Sequence, residues 1–181
     1  MPRPRDVVLN LLTAAVAVTA VVVLVNDRVL PMLAERARVD PEDAIKSPVL
    51  LRRIVPNDTV DLVGADPRLL VVFQSTCDVC ERVSPSWQGL AAANHIRPMA
   101  LGLDRDSVSV DWLSRHLPAA EAVAAVDLSG LLDRFRIRAV PTTILVAGGR
   151  LHLRRLGPLR SDDIVRIRRA FSGSPAKAPI P

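Results

Sequence analysis

The sequence predicts a mixed α/β sheet with helices on both faces. Three observations carry this. Residues 69–73, Leu-Leu-Val-Val-Phe, form a continuous apolar run, the pattern of a strand buried on both faces. Further strand-like runs at 99–103 and 122–126 are separated from it, and from each other, by segments of helical spacing. The chain then closes with a hairpin and a last helix, so that strand–helix–strand–helix–strand is followed by hairpin and helix.

Taken in order, residues 50–63 carry alternating apolar positions such as Val60 and Leu62 and predict opening strands. The strand at 69–73 leads to a helix over 78–94. There Val79, Val83, Trp87 and Leu90 make one apolar stripe, and Pro85 removes a backbone donor, which predicts a kink. The helix over 108–117 turns Trp112 and Leu113 inward. Asp127 caps a short helix that ends at Phe135. Strands at 142–146 and 151–156 flank Ala147-Gly148-Gly149, where glycine supplies the positive φ of a tight hairpin. Ser161-Asp162-Asp163 opens the final helix, with Ile164, Ile167 and Phe171 on one face. Residues 173–181 are rich in Pro, Ala and Ser and read as a disordered tail.

A chain of 181 residues holds one ordinary domain plus appendages. Hydrophobic residues make up 49%, but aromatics only 3% and Tyr is absent, so the core must be built from Val, Leu, Ile and Ala. The net charge of +5 reads as a solvated, arginine-rich surface. No basic patch interleaved with aromatics and no zinc-finger spacing is present, so nucleic acid is not an expected partner.

Residues 7–25 contain no charge. As a helix they reach about 28 Å, close to the ~30 Å hydrocarbon thickness of a bilayer. They predict an uncleaved signal anchor after a short tail, 1–6. A cleaved signal peptide fits less well, because Val21-Val22-Val23-Leu24-Val25 would follow the Val18-Thr19-Ala20 cut. A buried soluble helix fits least, the run being apolar on every side. Residues 26–56 are charged and read as a membrane-proximal stalk, with a helix start at Asp40-Pro41-Glu42-Asp43. The globular domain is expected over 57–172. Arg3 and Arg5 precede the span while Arg28, Arg36 and Arg38 follow it, so charge counting does not set the orientation.

The only two cysteines, Cys77 and Cys80, lie between the 69–73 strand and the helix that follows. At a helix N-terminus the unpaired backbone N–H groups and the macrodipole favour an anion, so a thiolate at Cys77 is favoured. Cys80, one turn on, can attack the resulting mixed disulfide. A zinc site would need four ligands, and His95, His116 and His152 are scattered. Covalent haem attachment would need His where Glu81 stands. No metal or other cofactor is expected.

The segment 135–146, Phe-Arg-Ile-Arg-Ala-Val-Pro-Thr-Thr-Ile-Leu-Val, running on through Gly148-Gly149 to Gly157, resembles the C-terminal half of the thioredoxin fold. Pro85, five residues after the second cysteine, matches the kinking proline of thioredoxins. The matched segments cover 69–94 and 127–171. Between them lies an extra unit at roughly 103–126. A strand–helix insertion there is similar to the TlpA/ResA-like thiol–disulfide oxidoreductases, which are usually membrane-anchored and extracytoplasmic.

That resemblance implies a single-pass protein of the cytoplasmic membrane with its thioredoxin-like domain on the periplasmic side. It implies reduction of protein disulfides, for example in apocytochrome c maturation, with electrons drawn from a membrane thiol reductase. It makes Cys77 the nucleophile and Cys80 the resolving thiol. It assigns substrate contact to Pro141, in a cis peptide bond, to the backbone of Val140, and to Thr76, which stands where thioredoxins carry Trp. The chain departs from its relatives at Val71 and Val83, where they carry acids able to take a proton from the second cysteine. Glu81 is turned away by the helix. Asp78 disfavours the neighbouring thiolate and leans the pair towards a reductant.

Two other functions fit the same fold: a Dsb-like oxidant, and a non-catalytic tethered assembly factor of the methylamine dehydrogenase maturation type. A peroxiredoxin fits poorly, because Gln74 stands where Thr or Ser is needed. A copper-delivery protein of the Sco type would need a longer cysteine spacing and a metal-binding His.

Overall fold

The computed structural model describes residues 44–172. The expected N-terminal tail, the anchor at 7–25, the stalk up to residue 43 and the tail at 173–181 lie outside the described residues. Among the described residues no helix is long and apolar enough to cross a membrane.

The elements in chain order are β1 (Leu50–Arg53), β2 (Thr59–Asp61), β3 (Arg68–Phe73), α1 (Asp78–Asn94), β4 (Met99–Gly102), α2 (Asp106–His116), β5 (Glu121–Ala125), α3 (Leu128–Arg134), β6 (Thr142–Ala147), β7 (Arg150–Leu156) and α4 (Ser161–Ser172). The strands form one mixed sheet in the order β2-β1-β5-β4-β3-β6-β7. β3, β4 and β5 run parallel. β6 and β7 return antiparallel on one side, and β1 and β2 antiparallel on the other.

The continuous apolar run of β3 is explained by its neighbours. Leu70 and Val72 point to one face and pack with Leu101, Val123, Leu131 and Phe135, so α3 covers that side. Val71 and Phe73 point to the other and meet Val83, Trp87, Trp112 and Leu113 of α1 and α2. Leu69 joins Leu90 of α1 and Ile167 of α4 on that same side. With both faces covered, no position from 69 to 73 calls for a polar residue.

α1 is continuous through Pro85. The proline leaves the carbonyl of Glu81 without its helical N–H partner, and the hydroxyl of Ser84 donates to it instead, at 2.9 Å. The buried side of α1 comprises Cys80, Val83, Ser84, Trp87, Leu90 and Ala91. Val79, expected in the apolar stripe, is 37% exposed. It lies in the first turn, beyond the end of the strands, where the sheet no longer offers a surface. The helix stops at His95, in the left-handed region at φ 52°, whose N–H returns to the carbonyl of Ala91.

α2 begins at Asp106, two residues before the expected start, because Arg105 ahead of it makes no side-chain cap to mark the boundary. It packs closely on β4: a Cβ at Gly102 would collide with the hydroxyl of Ser109. The unit expected as a strand–helix insertion is, in chain order, a helix and then a strand, α2 followed by β5. β5 extends the parallel sheet, and β1 pairs with its outer edge. The sheet therefore starts at residue 50, at the head of the segment expected to hold the opening strands, and Leu51 is wholly buried. Between β1 and β2 the chain turns through a cis Val55–Pro56 bond and Asn57 at φ 67°. Gly148 and Gly149 both take positive φ, 55° and 72°, and form the whole turn between β6 and β7.

Candidate active site

β3 ends at Phe73 in the middle of the sheet, and the next four residues lead into α1. Two bonds from the neighbouring strand end shape this loop. The N–H of Leu103 donates to the carbonyl of Phe73 at 3.0 Å, and the N–H of Ser75 donates to the Asp104 carboxylate at 2.6 Å. The N–H of Cys77 turns back to the carbonyl of Gln74 at 3.1 Å. Cys77 is thereby left in extended conformation, φ −93° and ψ 102°, as the N-cap of α1.

In that position the sulfur of Cys77 does what a serine or aspartate oxygen does at other helix starts. It accepts the N–H of Cys80, at 3.1 Å. The Cα atoms of Cys77 and Cys80 are 5.3 Å apart, inside the range a disulfide requires, and the two are paired as one. Their surroundings differ. Cys77 is half-buried, whereas Cys80 is wholly buried among Val71, Phe73, Val83, Trp87 and Trp112.

The loop before β6 closes the site from the other side. Val72 of β3 pairs with Thr142 of β6, which brings residues 139–141 level with the cysteine loop. The carbonyl of Val140 lies 4.0 Å from the Cys77 sulfur. The Val140–Pro141 bond is cis. The loop is fixed by the Gly157 N–H on the Pro141 carbonyl, 2.8 Å, and by the Thr142 hydroxyl on the Ala139 carbonyl, 2.7 Å. Of the residues expected at the site, Cys77, Cys80 and Val140 are thus brought together, with Pro141 adjoining. Pro141 is buried, Val140 half-buried, and Thr76 exposed on the loop beside Cys77.

Two residues that position the site were not singled out from sequence for that role. Trp87 donates its indole N–H to the Thr143 hydroxyl at 3.1 Å, tying α1 to β6 beneath the cysteines. Asp104 holds the loop from the C-terminal end of β4. Its signal in the sequence was a carboxylate just past a strand end, the edge at which open α/β sheets place their sites.

The acids near the cysteines are exposed: Asp78 and Glu81 occupy the first turn of α1 and face solvent. Val71 and Val83 are buried against Cys80. The one buried carboxylate among the described residues, Asp163, is bound to Arg155 at 2.6 and 3.0 Å. No group of three or more His, Cys, Asp or Glu among the described residues could hold a metal ion.

Solved structures share this architecture. A thiol–disulfide isomerase from Thermus thermophilus superposes with a TM-score of 0.58 at 19% identity, covering 70% of this chain and 93% of its own. The thioredoxin domain of a thiol–disulfide oxidoreductase from Bacteroides vulgatus gives 0.58 at 16%, covering 74% and 99%. StoA from Bacillus subtilis gives 0.55 at 18%, covering 69% and 98%. The fold is thioredoxin-like. At these identities the likeness is one of fold. No protein-family model and no curated protein matches the chain.

Proposed function

We propose that the chain is a thiol–disulfide oxidoreductase in which Cys77 attacks a partner disulfide and Cys80 resolves the product. The observation that carries this reading is the place of the Cys77 sulfur. It caps α1, receives the Cys80 N–H and adjoins the Val140 carbonyl. The helix terminus stabilises the thiolate that Cys77 needs as a nucleophile. The half-buried sulfur gives a partner access, and the neighbouring folds are those of thiol–disulfide enzymes.

The reaction balances in two displacements. The Cys77 thiolate bonds to one sulfur of the partner disulfide and expels the other as a thiolate. Cys80, as a thiolate, then bonds to Cys77 and expels the remaining partner sulfur. Two electrons pass from the dithiol to the partner, and a thiol reductase must return them. Val140 and Thr76 flank the surface on which a peptide would lie, over the buried Pro141, with the backbone of Val140 offering hydrogen bonds.

The cellular setting belongs to the same proposal. Residues 7–25 tie the chain to the cytoplasmic membrane, the domain lies on the periplasmic side, and a membrane thiol reductase supplies the electrons. A cytochrome c maturation-like role fits this setting. Support comes from the uncharged length of 7–25 and from the lone cysteine pair. The first-turn acid Asp78, next to Cys77, opposes the thiolate and favours a reductant.

The test is the reduction potential of the Cys77–Cys80 pair, equilibrated against glutathione or dithiothreitol. A value near about −270 mV supports a reductant, whereas one near about −120 mV makes disulfide insertion the function. Cys77→Ser should lose all thiol–disulfide exchange. A Cys77→Ser chain that still complements a deletion would instead mark a binding module.

A further inference from the structure

A thiol must lose its proton before it can attack a disulfide, because the thiolate is the nucleophile. For Cys77 the helix terminus meets that need. For Cys80 the surroundings do the opposite. Its side chain is wholly buried, and apolar burial disfavours the thiolate.

Among the described residues, the side chains packed around Cys80 supply no base, and Asp104, just past β4, has its carboxylate on the Ser75 N–H. β3 contributes Val71 and Phe73, β4 contributes Ala100, and the loop before β6 contributes Val140. From α2 come Trp112 and Leu113, with His116 stacked outside Trp112 at a ring distance of 4.6 Å. On α1 itself, Asp78, Glu81 and Arg82 are exposed. Ser84, one turn beyond Cys80 and buried, has its hydroxyl proton on the Glu81 carbonyl and is far too weak a base. Asp163 is held by Arg155 and by the Arg160 N–H.

We propose that Cys80 gives up its proton to solvent alone, so that the mixed disulfide on Cys77 is long-lived at neutral pH and the chain holds its partner covalently until resolution. This rests on the oxidoreductase reading of Cys77. A slow second step turns an exchange enzyme into one that retains its partner for a time set by pH. In the mixed disulfide Cys77 no longer titrates, so the resolving step reports Cys80 by itself.

The experiment uses the full chain, reduced, in detergent, mixed in stopped flow with one equivalent of a symmetrical nitrobenzoate disulfide whose released thiolate is coloured. The first release reports attack by Cys77, and the second, independent of concentration, reports closure by Cys80. The expected second phase rises about tenfold per pH unit between pH 6 and 8, the behaviour of a thiol that stays largely protonated over that range. It should be unchanged in Glu81→Gln. A second phase that is flat over this range would overturn the proposal. So would one slowed in Glu81→Gln or in His116→Gln, where the replaced side chain would be the acceptor. An absent first phase would overturn the oxidoreductase reading itself, a failure visible separately from any fault in the second phase.

Discussion

Asp163 shows how one residue can fix two elements. Its carboxylate takes two N–H bonds from Arg155 of β7 and one from the backbone of Arg160, just ahead of α4. Burial by itself would raise its pKa. The Arg155 bonds and charge, the Arg160 N–H and the more distant Arg166 outweigh that and hold it below the usual carboxylate range. A carboxylate depressed in the folded state adds stability above its unfolded pKa, near ~3.9, and loses it as pH falls through the lower folded value. Acid unfolding should therefore steepen below about pH 4, and Asp163→Asn should flatten that limb. The same change should cost about 1–3 kcal/mol at pH 7, since it leaves a half-buried guanidinium poorly paired. Urea titrations of both chains across pH 3–7 check this, and equal slopes on the acid limb would count against it. Gly102 makes a packing point at the same scale. A methyl group there meets the Ser109 hydroxyl and, behind it, Phe73, so Gly102→Ala should cost about 1–3 kcal/mol in the melt rather than gain from added strand propensity.

Within α1, Pro85 and Ser84 act as a unit. The ring removes the donor for the Glu81 carbonyl and the hydroxyl one residue earlier replaces it. Ser84→Ala should then cost about 1 kcal/mol in the presence of Pro85 and close to nothing in a Pro85→Ala background, where the backbone N–H is restored. Additive penalties in that double-mutant cycle would show that the two are independent. The helix as such was readable because its signals are local: a cysteine pair at its start and a periodic apolar stripe. The Asp127 cap was readable for the same reason. Its carboxylate accepts the Gly130 N–H and the Ser129 hydroxyl, which hold its pKa down. The opening strands were readable within 50–63, but the pairing of β1 with β5 was not, since β5 lies about seventy residues on. The cysteine pair could be read from spacing. Its nearness to Val140 could not, because that contact spans 63 residues and depends on strand pairing; only the likeness of 135–146 to the thioredoxin fold suggested it.

At the scale of the whole molecule, the strand order explains why the chemistry sits where it does. β3 is the junction between the parallel and antiparallel halves of the sheet. A strand that ends in Cys77's loop and an antiparallel neighbour that begins after Pro141 present those two loops at the same edge. The parallel half must be closed on its far side, and that task falls to β1. An unpaired β5 would expose a row of backbone donors and acceptors next to Val123 and the inner face of α3. A chain beginning at residue 57, where composition alone would start the domain, lacks Leu51 and the β1 ladder. Loss of Leu51 alone, as Leu51→Ala, should cost about 2–5 kcal/mol. Removing the strand as well should exceed the ~5–15 kcal/mol by which domains of this kind are stable, or leave little of it. The expected outcome is a sharp melt for a chain starting at residue 44 and a broad, aggregating one for a chain starting at 57, read by circular dichroism and size exclusion. If the shorter chain melted as sharply as the longer, the far side of the sheet would not need β1, and the site would be held by β3, β4 and β6 with the helices alone.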